Sequence, residues 1–177
     1  MKEATDEQLM QAVAGGDIEA FNELILRYQN LAWQMAYRFL GDAMEAEDVS
    51  QESFLKTLEA ARSYRPTAAF RTYFYHTLTH LCIDRIRKKQ PASIDDIPEA
   101  IDPSLSPDES LIKKELQDQI HLALDALPPN QKAAMILRHY EGLSYTEIAQ
   151  ILGVTPKAVE GLMSRARASL QARLSHL

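Results

Sequence analysis

The sequence carries a single cysteine, Cys82, in 177 residues, so no internal disulfide framework can hold the fold. Its longest apolar runs fall far short of a membrane span. The opening "MKEATDEQLM" has neither the basic start nor the apolar core of a secretory signal. No glycine-rich phosphate loop, nucleophile elbow, internal repeat or strand-rich segment is present. These absences point to a soluble chain whose simplest home is a reducing cytoplasm, with no cofactor or catalytic motif in view. With 46% hydrophobic and 25% charged residues, the chain is too apolar for disorder.

Positive charge is also short overall, with a formal net charge of −6. The balance is uneven along the chain. Met1 to Ala61 holds 4 Lys/Arg against 12 Asp/Glu, a net −8, and Arg62 to Gln90 reverses this with 7 against 1, a net +6. Pro91 to Val154 returns to 4 against 11, a net −7, and Thr155 to Leu177 ends at 4 against 1, a net +3. Two basic islands between acidic stretches are candidate footprints for a polyanion, with a solvated helix face as the bland alternative.

The periodicity predicts an all-α chain of two small helical domains, residues 1–90 and 106–177, joined by an acidic, proline-containing linker over 91–105. Thr5 with Gln8 forms a capping-box start for a helix ending at Gly15-Gly16. Asp17 caps a second helix, whose apolar positions recur from Phe21 to Phe39 and which Gly41 ends. A third runs through "DAMEAEDVSQESFLKTLEAARSY", with Val49, Phe54, Leu55 and Leu58 expected inward. "RPTAA" breaks the chain before a fourth, from Phe70 to about Lys89. Beyond the linker, Ser106-Pro107-Asp108-Glu109 should start a helix reaching Leu127, and another spans about Gln131 to Glu141 before Gly142.

The last stretch has the grammar of a helix-turn-helix. Ser144 and Glu147 form a capping box, Gly153 permits a sharp turn, and Thr155 with Pro156 starts a longer basic helix. Ile148, Leu152, Val154, Val159 and Leu162 are the expected core between the two helices, and Ala149 is small where they approach. An ordinary helical hairpin is the alternative, but the basic second helix favours DNA. Val159, Leu162 and Ala166 should face inward. That leaves Thr155, Lys157, Glu160, Gly161, Ser164, Arg165 and Arg167 for the outer face. Arginine can bridge the two acceptors of guanine, and glutamate can accept from the cytosine amino group. Lys157 and Glu160, three apart, fit a surface ion pair equally well.

Two further patterns stand in the N-terminal half. Glu47, Asp48, Gln51 and Glu52 recur at helical steps, a stripe suited to a basic helical partner or simply to water. "SYRPTAAFRTYFYHTLTHLCIDRIRKK" mixes aromatics and cations. Phe70, Phe74, Leu78 and Leu81 make one apolar stripe, while Tyr73 and Tyr75 point partly elsewhere, where aromatic faces can stack on unpaired bases. Arg85, Arg87, Lys88 and Lys89 can hold phosphates. His76 and His80 are four apart with Asp84 beyond, the one arrangement favouring a metal enzyme, but no third ligand has recognisable spacing. Cys82, beside the apolar stripe, reads as core.

Taken together, "LDALPPNQKAAMILRHYEGLSYTEIAQILGVTPKAVEGLMSRARASL" resembles region four of the extracytoplasmic-function sigma factors of bacterial RNA polymerase. "GDIEAFNELILRYQNLAWQMAYRFLGDAMEAEDVSQESFLKTL" and "FRTYFYHTLTHLCIDRIRKK" resemble region two of that family. The resemblance implies a non-enzymatic chain that binds core polymerase at its clamp coiled coil and flap, recognises promoter DNA and is restrained by an anti-sigma factor. It assigns clamp docking to Glu47, Asp48, Gln51, Glu52, Phe54 and Leu55. Opening of the −10 element falls to Ser63, Tyr64, Arg65, Tyr73, Tyr75, His80, Arg85, Arg87, Lys88 and Lys89, with the loop over 63–69 cupping a flipped base. The outer face of the last helix, Thr155 to Arg167, would read the −35 element. Tyr73 stands where the family usually has Trp, and His80 where Asn is common. A free-standing helix-turn-helix regulator is the competing reading.

Overall fold

The computed structural model describes residues 3–89 and 109–176. The expected linker and the Ser106-Pro107-Asp108 cap lie outside the described residues. Eight helices are described and no strand: α1 (Asp6–Ala14), α2 (Ile18–Leu40), α3 (Ala43–Ala60), α4 (Phe70–Lys89), α5 (Glu109–Asp125), α6 (Pro129–His139), α7 (Tyr145–Leu152) and α8 (Pro156–Leu174).

Local chemistry sets most of the boundaries. Thr5 and Gln8 close a reciprocal capping box on α1, and Asp17 and Asp42 accept from the third backbone N–H of α2 and α3. Gly41 ends α2 at φ 67°, a left-handed conformation that a side chain would strain. The start of α4 is satisfied from a distance, by Glu7 Oε1 accepting from the Phe70 N–H at 2.8 Å. That carboxylate also places negative charge at the positive end of α4. In the "LPPN" break, Pro129 becomes the first residue of α6, two residues earlier than the periodicity indicates.

The third helix corrects two expectations. Leu55 and Leu58 were expected inward but are 59% and 44% exposed. The inward stripe is instead Ala46, Val49, Ser50, Ser53, Phe54 and Thr57. Small residues let α2 and α3 approach closely, and Ala32, Met35 and Ala36 of α2 share the buried core with Ala46, Val49 and Phe54. The buried hydroxyls carry little penalty because they donate to their own helix: Ser53 Oγ to the Ser50 carbonyl at 2.6 Å and Thr57 Oγ1 to the Ser53 carbonyl at 2.8 Å.

One hydrophobic core runs through both halves. Leu24, Met35, Phe39, Phe74 and Leu78 belong to the same buried cluster as Ile136, Leu137, Ile148, Ile151 and Val159. The C-terminal half seats α7 and α6 on α4, and α6 on the end of α2. A smaller cluster of Leu124, Leu127 and Ala166 fastens α5 to α8. At the seam Lys132 of α6 is 4% exposed. Its ammonium donates to the Phe39 carbonyl in the last turn of α2 and pairs with Asp125 at 2.6 Å. A cation there satisfies an orphan carbonyl and opposes the negative end of the helix dipole.

Candidate nucleic-acid interface

In the helix-turn-helix, Ser144 and Glu147 cap α7 reciprocally, at 3.2 Å and 2.7 Å. Glu147 titrates below the ordinary carboxylate range because the Ser144 backbone N–H, then its hydroxyl, favours the anion. Gly153 ends α7 at φ 67°, and the Thr155 hydroxyl accepts from the Ala158 N–H at 3.1 Å to start α8. The inward positions of α8 are Val159, Met163 and Ala166, with Leu162 only half-buried, so Met163 takes the place expected of Leu162. Leu152 and Val154 are half-buried too, and Ile151 fills the inner position beside Ile148.

Outward on α8 stand Thr155, Lys157, Glu160, Ser164, Arg165 and Arg167, all exposed, with Gly161 half-covered. Among the described residues no ion pair joins Lys157 to Glu160, which leaves both free for a ligand. The Arg165 guanidinium folds over Gly161, where a Cβ would lie 3.2 Å from its Nη1. Arg167 Nη2 donates to the Tyr145 hydroxyl at 3.3 Å, tying α8 to α7.

The face of α3 turned to solvent carries Met44, Asp48, Gln51, Leu55 and Leu58 at alternating steps of four and three, a straight seam along the helix. Beside it the Gln51 amide donates to Glu47 Oε1 at 2.8 Å. Phe54 lies inward as its spacing predicts: it is 8% exposed and packs on Phe74 at 5.3 Å, beneath the seam. Glu52 leans the other way, 3.5 Å from Arg85, and Glu45 pairs with both Arg85 and Lys89. Two of the cations expected at DNA are therefore engaged by α3, whereas Arg87 and Lys88 are exposed.

Tyr64, Arg65, Thr67, Ala68, Thr72, Tyr73 and His76 line a cleft of about 300 Å3, with Gln150 of α7 on its far side. Tyr64 and Tyr73 meet edge to face at 5.5 Å. Ser63 is exposed at the head of this loop, its hydroxyl donating to the Ala60 carbonyl at 3.1 Å. The cleft has the aromatic walls and hydroxyls that an unstacked base requires. His80 does not reach it. Its Nε2 lies 3.0 Å from the Ile151 carbonyl of α7, while its ring meets that of His76 tilted, at 4.3 Å. Burial, then the neighbouring His80, holds the His76 imidazole below its ordinary value.

Tyr75 corrects an expectation. Expected to point partly away from the apolar stripe, it is 1% exposed, under the C-terminal half. Its hydroxyl donates to Glu141 Oε2 at 2.8 Å and accepts from Arg71 Nη2 at 3.0 Å. Burial pushes the phenol up to about 12, with the Arg71 hydrogen bond opposing and Glu141 adding to it. Arg38 Nη1 meets the other Glu141 oxygen at 3.1 Å. Arg38, Arg71, Glu141, Gln150 and Lys132 escaped the sequence reading, because no local period marks contacts spanning 103 and 66 residues.

The Cys82 thiol is buried, and burial pushes it far above its usual range, away from the reactive thiolate. Among the described residues no three His, Cys, Asp or Glu side chains converge as a metal site, and no helix is long and apolar enough to cross a membrane.

A capped helix-turn-helix with a free basic face, an aromatic cleft beside a cationic helix and a solvent-facing apolar-acidic seam define a promoter-recognition subunit of the sigma-70 type. Residues 24–92 match the family model of Sigma-70 region 2, and residues 117–170 that of Sigma-70, region 4. The chain is 31% identical to the RNA polymerase sigma-H factor of Pseudomonas aeruginosa, over 97% of this chain and 95% of the relative. It is 30% identical to the ECF RNA polymerase sigma factor SigW of Bacillus subtilis, over 95% and 96%. The solved structure of CnrH in complex with the cytosolic domain of CnrY is similar at 26% identity and a TM-score of 0.72, covering 97% of each chain. The chain belongs to the extracytoplasmic-function (ECF) sigma factors, a family of non-catalytic regulators that direct promoter-specific transcription.

Proposed function

We propose that the division of labour follows the three surfaces. The solvent-facing seam of α3, with Glu47, Asp48, Gln51 and Leu55, docks on the clamp coiled coil of core RNA polymerase. The outer face of α8 reads the −35 element. The cleft walled by Tyr64 and Tyr73 receives a base of the −10 element while the cations of α4 hold its backbone. Residues 1–90 and 106–177 act as the two working units, with 91–105 as the linker. The chain works in the cytoplasm, catalyses nothing itself, and is restrained by an anti-sigma factor. The similar CnrH was solved in complex with the cytosolic domain of CnrY, a protein partnership of the kind that last role requires.

The observation that carries this reading is the aromatic cleft beside a cationic helix in the same chain as the helix-turn-helix, since a duplex-binding regulator has no use for a pocket sized for an unstacked base. The free outer face of α8 favours a second reading, a regulator acting without polymerase. Reconstitution with core polymerase separates them. Promoter-dependent transcription by the mixture, lost on Asp48→Lys with helicity intact, supports the first. Tight, sequence-specific duplex binding by the chain alone, unchanged in Asp48→Lys, supports the second.

A further inference from the structure

We propose that Arg38, Arg71 and Tyr75 form a seat for one backbone phosphate of the single strand at the −10 element, and that Glu141 occupies this seat in the closed chain. The inference rests on the reading of α4 as the DNA-opening helix.

Three donors from two helices converge there. Arg38 of α2 and Tyr75 of α4 take the two oxygens of one carboxylate, at 3.1 Å and 2.8 Å, and Arg71 supports the Tyr75 oxygen at 3.0 Å. The carboxylate comes from the C-terminal half, at the end of α6. Among the described residues no carboxylate of α1 to α4 lies within 4.0 Å of Arg38 or Arg71. The N-terminal half therefore presents two guanidinium groups and a hydroxyl that no carboxylate of that half pairs with, although Glu3 and Asp6 line a cleft with Arg71. Arg38 alone pairs with Glu141, and Arg71 reaches the site only through the Tyr75 hydroxyl, so a second guanidinium is left over from the ion pair.

A phosphodiester, like the carboxylate, is a monoanion with two free oxygens, and arginine forks match it well. Position supports the same occupant. Thr72 and Tyr73 line the base cleft, and Tyr75 lies three residues after Thr72, about 4.5 Å along the helix axis. One strand thus reaches cleft and seat together. In the closed chain the C-terminal half covers both, Gln150 at the cleft and Glu141 at the seat. The arrangement makes Glu141 a decoy for the ligand it displaces.

The test uses the full-length chain and a fluorescein-labelled oligothymidylate, titrated by anisotropy across a series of salt concentrations. Glu141→Gln keeps the shape of the side chain and removes the competing charge. It should tighten binding about tenfold and steepen the log-affinity against log-salt line by about 0.7, the increment for one phosphate on a single strand. Arg38→Ala in the Glu141→Gln background should remove both gains, and Arg38→Lys there should keep the slope while losing part of the affinity. Circular dichroism checks that each variant is folded. The proposal is overturned if Glu141→Gln changes neither affinity nor slope, or if Arg38→Ala leaves the gains in place. Transcription with core polymerase, run in parallel, judges the sigma-factor assignment separately. A chain that transcribes from promoters yet shows no slope change loses the seat alone.

Discussion

Tyr75→Phe deletes one oxygen from the seam between the two halves and keeps the buried ring. That oxygen serves two partners with different prospects once it is gone. Arg71 is exposed and returns to water, at little cost. Glu141 keeps Arg38 on one oxygen, but its side chain is only 9% exposed, so the other oxygen loses its donor without regaining full hydration. A hydrogen bond to a charged group contributes about 1.5–3 kcal/mol. The phenylalanine variant should weaken the closed packing by that amount, roughly 10- to 150-fold in the ratio of closed to separated halves. Hydrogen exchange reads this directly: amides of α7, and of the α4 face beneath it, should lose protection by the same factor, while those between α2 and α3 change little. A lower melting temperature should accompany the loss. Unchanged protection over α7 would refute the argument, because it would mean that the hydroxyl is satisfied but not stabilising.

Other expectations follow from the same geometry. Arg165→Ala should weaken −35 recognition by about 1–3 kcal/mol if the guanidinium bridges a base; a uniform loss on all duplexes in salt titrations would instead assign it to phosphate. Gly161→Ala should separate folding from reading. A helical alanine gains up to about 1 kcal/mol over glycine, yet its Cβ would crowd Arg165 Nη1 at 3.2 Å, so melting should rise as promoter selectivity falls. At Gly153 a Cβ meets nothing within 4 Å, so Gly153→Ala should cost only the left-handed conformation, about 1–2 kcal/mol in chemical denaturation. His76 titrates below its ordinary value, so the unfolded chain takes its proton more readily. Its contribution to stability is full above about pH 6.5 and is lost as pH falls from there to the folded value. An NMR titration of the imidazole at or above pH 6.5 would reject this.

The features legible in the sequence share a short range. Capping boxes at Thr5 and Ser144, the aspartate caps and the left-handed glycines act within four residues, so their letters stand next to their consequences. The solvent face of α3 was not legible in the same way. Leucines usually mark the core, but here a stripe of serine, threonine and alanine lies inward because close helix packing and hydroxyl back-bonding make it the better fit. Tyr75 was misplaced for a different reason. Its burial comes from α6 and α7, elements that no local pattern in α4 could announce. Lys132 is the sharpest case, a lysine in a polar-looking stretch whose ammonium is buried at the end of another helix.

The shared core bears on how freely such chains exchange parts in evolution. The two promoter-reading halves look interchangeable, each with its own matched family model. Yet Glu141 must face Arg38 and Tyr75, Lys132 must find the Phe39 carbonyl, and the α7 backbone at Ile151 must meet His80. On the division of labour proposed above, a chimera that takes its last four helices from a relative would inherit that relative's −35 preference. Unless those partners travelled with it, the graft would leave uncompensated arginines and a bare apolar face on the resident half. Recombination between relatives is thus constrained less by DNA recognition than by the fit of the halves when no DNA is present.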